Sequence, residues 1–115
     1  MTTAVITGGS GFANVVSIET FLEQCREQKG ITKLVVSSAS KAEKISASWA
    51  RSNGIQVVTF DLDYTIPRKE AVAERNKIML NKCVDFVVAF PGGDSAADMC
   101  AQADALGIQV YRVDR

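Results

Sequence analysis

Short apolar runs rich in β-branched residues recur at positions 4–7, 33–37, 55–59, 86–89 and 109–113, the pattern of buried strands. Between them apolar residues take helical spacing: Ile18, Phe21, Leu22 and Cys25; Ala42, Ile45 and Trp49; Val72, Arg75 and Met79; Ala96, Met99, Cys100 and Ala103. Strand and helix therefore alternate. Near-continuous apolar strands joined through helices predict an α/β fold, a doubly wound parallel sheet of five strands in the order 3-2-1-4-5 with about four helices. In that order the chain reverses direction between strands 1 and 4, and a crevice opens there.

The joints between elements fall into two kinds. Helix-to-strand joints are terse and repeat one step, Gly30-Ile31, Gly54-Ile55 and Gly107-Ile108, where glycine supplies a left-handed cap and isoleucine packs back. Strand-to-helix joints are longer and polar: TGGSGFAN, SSASK, FDLDYTIPRK and FPGGDS. Two of these carry paired glycines, Gly8-Gly9 and Gly92-Gly93, and the predicted topology sets both beside the crevice. Glycine lets backbone N–H groups turn toward an anion and brings the anion close, and a following helix N-terminus adds partial positive charge. The alternative is a tight turn and nothing more. The spacing G-G-x-G lacks the G-x-G-x-x-G fingerprint, Glu23 and Glu27 fall inside a helix, and no Gly-Lys-Ser/Thr follows, so neither a dinucleotide fold of the usual kind nor a nucleoside triphosphatase is indicated.

Composition narrows the chemistry. The 115 residues carry 13 basic and 13 acidic side chains, with 47% hydrophobic residues; no basic stripe marks a nucleic-acid binder. No apolar run approaches a membrane span, and the N-terminus does not read as a secretory signal, so a cytoplasmic protein is expected. Histidine is absent, which removes Ser-His-Asp and Cys-His catalysis. Cys25, Cys83 and Cys100 are widely spaced and read as small buried hydrophobes; no metal site is expected.

Helix 3 holds an anomaly. Ala71, Val72, Ile78 and Met79 define an apolar stripe with Arg75 in its middle, and no carboxylate stands three or four positions away. A guanidinium so placed must snorkel out, meet a carboxylate from another element, or meet a ligand anion. Adjacent Asn76 is either a surface residue or a donor to a ribose or base edge. Asp94 and Ser95 are natural N-caps, and Ser95 to Asp98 has capping-box spacing. Asp98 is therefore structural, or a partner of Arg75 or of a ligand hydroxyl. The loop through Asp61, Asp63, Tyr64 and Arg68 is long enough to form a lid; its carboxylates read as solvation and turn residues rather than a magnesium site.

The segments TGG at 7–9, ASWARSNGI at 47–55, ERNKIML at 74–80 and FPGG...ADM at 90–99 resemble the YspA-type branch of the SLOG superfamily, which is related to the Lonely Guy phosphoribohydrolases. The resemblance runs from Val5 to Val113 and implies one Rossmann-like, nucleotide-ligand-binding domain over residues 1–115. It implies no cofactor beyond a nucleotide-derived ligand, and a homo-oligomer. The ligand-binding set is then Gly8, Gly9, Ser10, Gly11, Ser38, Ser40, Arg75, Asn76, Gly92, Gly93, Asp94 and Ser95. The Lonely Guy motifs are only partly kept: Arg75, Met79, Pro91, Gly92 and Gly93 match, but Asn76 replaces a lysine and Met99 stands where the catalytic glutamate belongs. The glycine-rich segment usual after strand 2 is here Ser37-Ser38-Ala39-Ser40-Lys41-Ala42-Glu43, in which Ser40 and Glu43 have capping-box spacing. These departures favour a ligand sensor or sequestering protein. The alternatives are nucleoside-monophosphate N-glycosidic hydrolysis, with Arg75 and Asp98 (or Glu74) as candidate catalytic groups, and an interaction module without a ligand.

Overall fold

The computed structural model describes residues 2–8, 14–37 and 40–113. Five strands, β1 (Thr2–Thr7), β2 (Ile31–Ser37), β3 (Gln56–Phe60), β4 (Phe86–Ala89) and β5 (Gln109–Arg112), alternate with helices α1 (Val15–Lys29), α2 (Lys41–Ser52), α3 (Arg68–Leu80) and α4 (Asp94–Ala105). Every pairing is parallel and the order is β3-β2-β1-β4-β5, as the alternation predicts.

The strands' side-chain alternation divides the core between two faces. Ala4, Ile6, Leu34, Val36, Phe86 and Val88 pack with α1 and α2 through Ile18, Leu22, Trp49 and Ala50. Val5, Val35, Val87 and Val110 pack with α3 and α4 through Met79, Leu80, Met99 and Ala103. β1 is central, and its residues Ala4, Val5 and Ile6 are wholly buried.

The Gly-Ile joints form as expected. Gly30, Gly54 and Gly107 have φ of 68°, 70° and 73°. After α2 and α4 the bonds are those of a Schellman motif: Gly54 N–H to Arg51 O and Ile55 N–H to Ala50 O, then Gly107 N–H to Asp104 O and Ile108 N–H to Ala103 O. Ile31 and Ile55 are buried beneath their glycines. This edge of the sheet satisfies its own backbone.

Two expectations about side chains need correction. Cys25 is buried and Cys100 half-buried, but Cys83 is exposed at φ 58° in the turn between α3 and β4, because the turn lies outside the helical stripe that would bury it. Ile78 is also exposed; the buried stripe of α3 is Ala71, Val72, Arg75, Asn76, Met79 and Leu80, so the helix turns its two polar residues inward instead.

Candidate functional site

The polar strand-to-helix joints gather at the carboxyl edge of the sheet, and a cleft of about 680 Å³ opens among them. Gly8 at the end of β1, Ser40 at the start of α2, Arg68, Lys69 and Val72 on α3, and Gly93, Asp94, Ser95, Ala97 and Asp98 around the start of α4 line it. The cleft thus joins the β1 and β4 sides of the switch point and extends to α3. Gly9, Ser10, Gly11 and Ser38 lie outside the described residues. Gly92 has φ 114° and lines a second groove of about 510 Å³ between α4 and the end of β5.

The four helix starts differ in how their free N–H groups are met. On one face of the sheet, Asn14 Oδ1 accepts from Ser17 N–H at 3.1 Å, and Ser40 Oγ accepts from Glu43 N–H at 3.2 Å. On the other face the N-cap residues are Pro67 for α3 and Gly93 for α4, and neither makes a side-chain cap. Asp94 and Ser95, expected as caps, instead form the first turn of α4, because Gly93 at φ 64° and ψ 160° already turns the chain into the helix. Two uncapped helix starts therefore border one cleft, each with partial positive charge.

Arg68 and Lys69 occupy the first two positions of α3. Cations there oppose the helix dipole and gain nothing locally, with Glu70 beside them as the acidic residue of the same turn. Both side chains are exposed and line the cleft. They are the cations the sequence reading did not assign, and their position after a Pro N-cap was the available signal.

Arg75 neither snorkels out nor forms an ion pair with a carboxylate of another element among the described residues. It is 4% exposed, with Nη2 donating to Ser95 Oγ at 2.5 Å and to Asn76 Oδ1 at 3.2 Å. Its Nε has no partner among the described residues. Burial pushes its pKa down, and the nearby Glu43 carboxylate opposes that shift. Asn76 is fully buried and donates to Ser95 O at 3.1 Å and Asp98 Oδ2 at 2.9 Å. Gln102 completes the joint, donating to Asp98 Oδ2 at 2.7 Å and Ala73 O at 3.0 Å. Arg75, Asn76 and Asp98 thus fasten α3 to α4 and fix the cleft wall from behind.

Glu43 is 1% exposed. Its Oε2 accepts from Ser37 N–H at 2.6 Å and its Oε1 from the Ser40 hydroxyl at 2.9 Å. The capping box is therefore present and also reaches back to the last residue of β2, so the Glu43 carboxylate ties the end of β2 to the start of α2. Burial raises the Glu43 pKa, with the Ser37 and Ser40 hydrogen bonds and Arg75 opposing. Gly8 fits this junction by its size: a Cβ there would stand 3.0 Å from Ala42 Cβ and 3.3 Å from Phe90 Cβ. Among the described residues no group of three or more His, Cys, Asp or Glu is placed to hold a metal ion, and no helix is long and apolar enough to cross a membrane.

Against solved structures, 97% of the chain matches 34% of MurG from Acinetobacter baumannii, with a TM-score of 0.62 at 16% identity. This is a likeness of fold, and the chain spans about a third of that protein's length. A muconate lactonizing enzyme from Mucobacterium Smegmatis is matched over 100% of this chain and 47% of its own, at 10% identity and a TM-score of 0.35, too low to speak to the fold. No curated protein matches. The model of the YspA, cpYpsA-related SLOG family matches residues 2–65, more than half of the chain and all of β1, α1, β2, α2 and β3; the chain belongs to that family.

Proposed function

We propose that the protein binds a nucleotide or nucleotide-derived small molecule in the cleft between the starts of α3 and α4, as a sensor or sequestering protein. The observation that carries this reading is the pair of uncapped helix starts facing one cleft together with Arg68 and Lys69. Each feature alone is unfavourable in an empty protein; a phosphate group satisfies all of them at once. The exposed Asp94 carboxylate, on the opposite side from the α3 cations, suits the hydroxyls of a sugar. SLOG membership fits a nucleotide-related ligand.

Within this reading Gly8, Ser40, Gly93, Asp94 and Ser95 shape or line the site, while Arg75 and Asn76 support it from behind. Asp98, the carboxylate considered for hydrolysis, is engaged by two amides, which favours binding over turnover. The same reading takes the protein to be a cytoplasmic homo-oligomer, a state that light scattering during size exclusion measures.

The test is thermal denaturation with AMP, ADP, ATP, GMP, NAD, ADP-ribose and cyclic dinucleotides. A ligand at 100 times its dissociation constant adds about 2.7 kcal/mol. For 115 residues the unfolding entropy is roughly 240 cal/mol/K, so the expected rise is about 11 °C. It should disappear in an Arg68→Ala, Lys69→Ala double variant. A flat panel on folded, ligand-free protein, or a shift indifferent to both substitutions, refutes the proposal.

A further inference from the structure

The phosphate-binding elements leave open what part of a ligand lies beyond them. One aromatic ring stands out. Tyr64 is 84% exposed, whereas every other described aromatic side chain is at least half-buried. Phe21 meets Phe90 and Phe86 meets Tyr111 edge to face, Phe60 lies under the Lys82 ammonium, and Trp49 donates its indole N–H to Glu23.

The turn that carries Tyr64 is tied by its neighbours. Asp63 Oδ1 accepts from Thr65 N–H at 2.9 Å and from the Thr65 hydroxyl at 2.5 Å, so one carboxylate brackets the turn on both sides of the ring. Those bonds lower the Asp63 pKa, and the turn is therefore set at neutral pH. Ile66 is half-buried and Pro67 begins α3, which ties the ring to the same short segment that presents Arg68 and Lys69. Three residues stand between Tyr64 and Arg68, so their Cα atoms are at most about 14 Å apart in extended chain and closer through a turn. The turn that carries Tyr64 runs directly into Arg68 and Lys69, which line the cleft, and the phenol is near enough to add to the field at Arg75.

We infer that Tyr64 is the stacking platform for the planar base of the ligand whose phosphate sits at Arg68, Lys69 and the starts of α3 and α4. This rests on the proposed function and narrows it: the ligand carries an aromatic base, and the base is held by its face. A face contact is tolerant of base identity and stronger for larger rings, so purine nucleotides bind better than pyrimidine ones while adenine and guanine are barely separated here. Neither a sugar phosphate nor inorganic phosphate uses this contact.

The experiment is isothermal titration of the full chain with AMP and with ribose 5-phosphate, which share the sugar and phosphate and differ in the base. Wild type is expected to bind AMP about tenfold more tightly. Tyr64→Ala should bring AMP to the affinity of ribose 5-phosphate and leave the latter unchanged; Tyr64→Phe should retain the preference. The ring makes no core contact, so both variants should melt with wild type, which separates a lost contact from a lost fold. If both compounds bind and Tyr64→Ala leaves AMP affinity untouched, the stacking assignment is overturned and the phosphate site stands. If neither compound binds wild type, both are overturned.

Discussion

Replacing Gly8 by alanine tests whether packing at the end of β1 demands glycine. Gly8 lies outside the positive-φ region, and its requirement is room: the added methyl would meet Ala42 Cβ at 3.0 Å and Phe90 Cβ at 3.3 Å. Both neighbours are buried, 0% and 1% exposed, and their Cβ atoms cannot swing aside by rotation. Relief requires α2 to lift from the sheet or the end of β4 to shift. Overpacking of this kind costs about 1–3 kcal/mol, offset by roughly 0.4–1 kcal/mol from the stiffer unfolded chain. The middle of that balance is roughly 1.3 kcal/mol, so at about 4 °C per kcal/mol for 115 residues Gly8→Ala should melt about 5 °C below wild type. Gly107→Ala is the comparison: nothing lies within 4 Å of its added Cβ, but φ is +73°, so its cost of about 1–2 kcal/mol is purely conformational. Differential scanning calorimetry without ligand reads both. An unchanged melting temperature for Gly8→Ala would show that the β1–α2–β4 junction has slack and that the packing argument is wrong.

Three further outcomes are expected. Arg68→Gln and Lys69→Gln should each stabilise the ligand-free protein by about 0.3–1 kcal/mol, because they remove a cation from a helix start; urea midpoints measure this, and destabilisation would show that these side chains serve the fold. Asn76→Ala should cost about 2–3 kcal/mol, since it strips partners from Ser95 O, Asp98 and Arg75 in a buried joint; a loss below 0.5 kcal/mol would contradict that account. Glu43 has a raised folded pKa, so the folded chain keeps this proton to higher pH than the unfolded chain. Its contribution is complete below the ordinary value near 4.5 and declines as pH rises through the folded value. The stability of wild type minus that of Glu43→Gln should therefore fall as pH rises above about 4.5, and a flat difference would refute the burial argument.

Local periodicity made the elements readable in advance, although it misplaced Ile78, which was counted in the apolar stripe of α3 and is exposed. The strand order followed from alternation, and the Gly-Ile joints announced both a left-handed φ and the buried isoleucine after it. What the pattern did not disclose were choices made between distant elements. Asp94 looked like a cap because its chemistry suits one, but Gly93 begins the helix and leaves Ser95 free to receive Arg75 from α3. Asn76 read as a surface residue or as a donor to a ligand; its burial is met by three partners contributed by α4 and by Arg75, which no local pattern announces. Glu43 was legible as a capping residue, yet its reach to Ser37 depends on how β2 delivers the chain into α2. Arg68 and Lys69 became candidates only once the cleft was seen to extend to α3.

The Schellman closures after α2 and α4 give the molecule a finished back. With backbone groups satisfied there and the cleft at the opposite edge, the back offers an attachment point at Leu106, 61% exposed beside Gly107. A fluorophore, a surface tether or a reporter domain joined there leaves the cleft unobstructed. The protein can thus be immobilised with its cleft turned outward, which gives any candidate ligand unobstructed access in a binding assay.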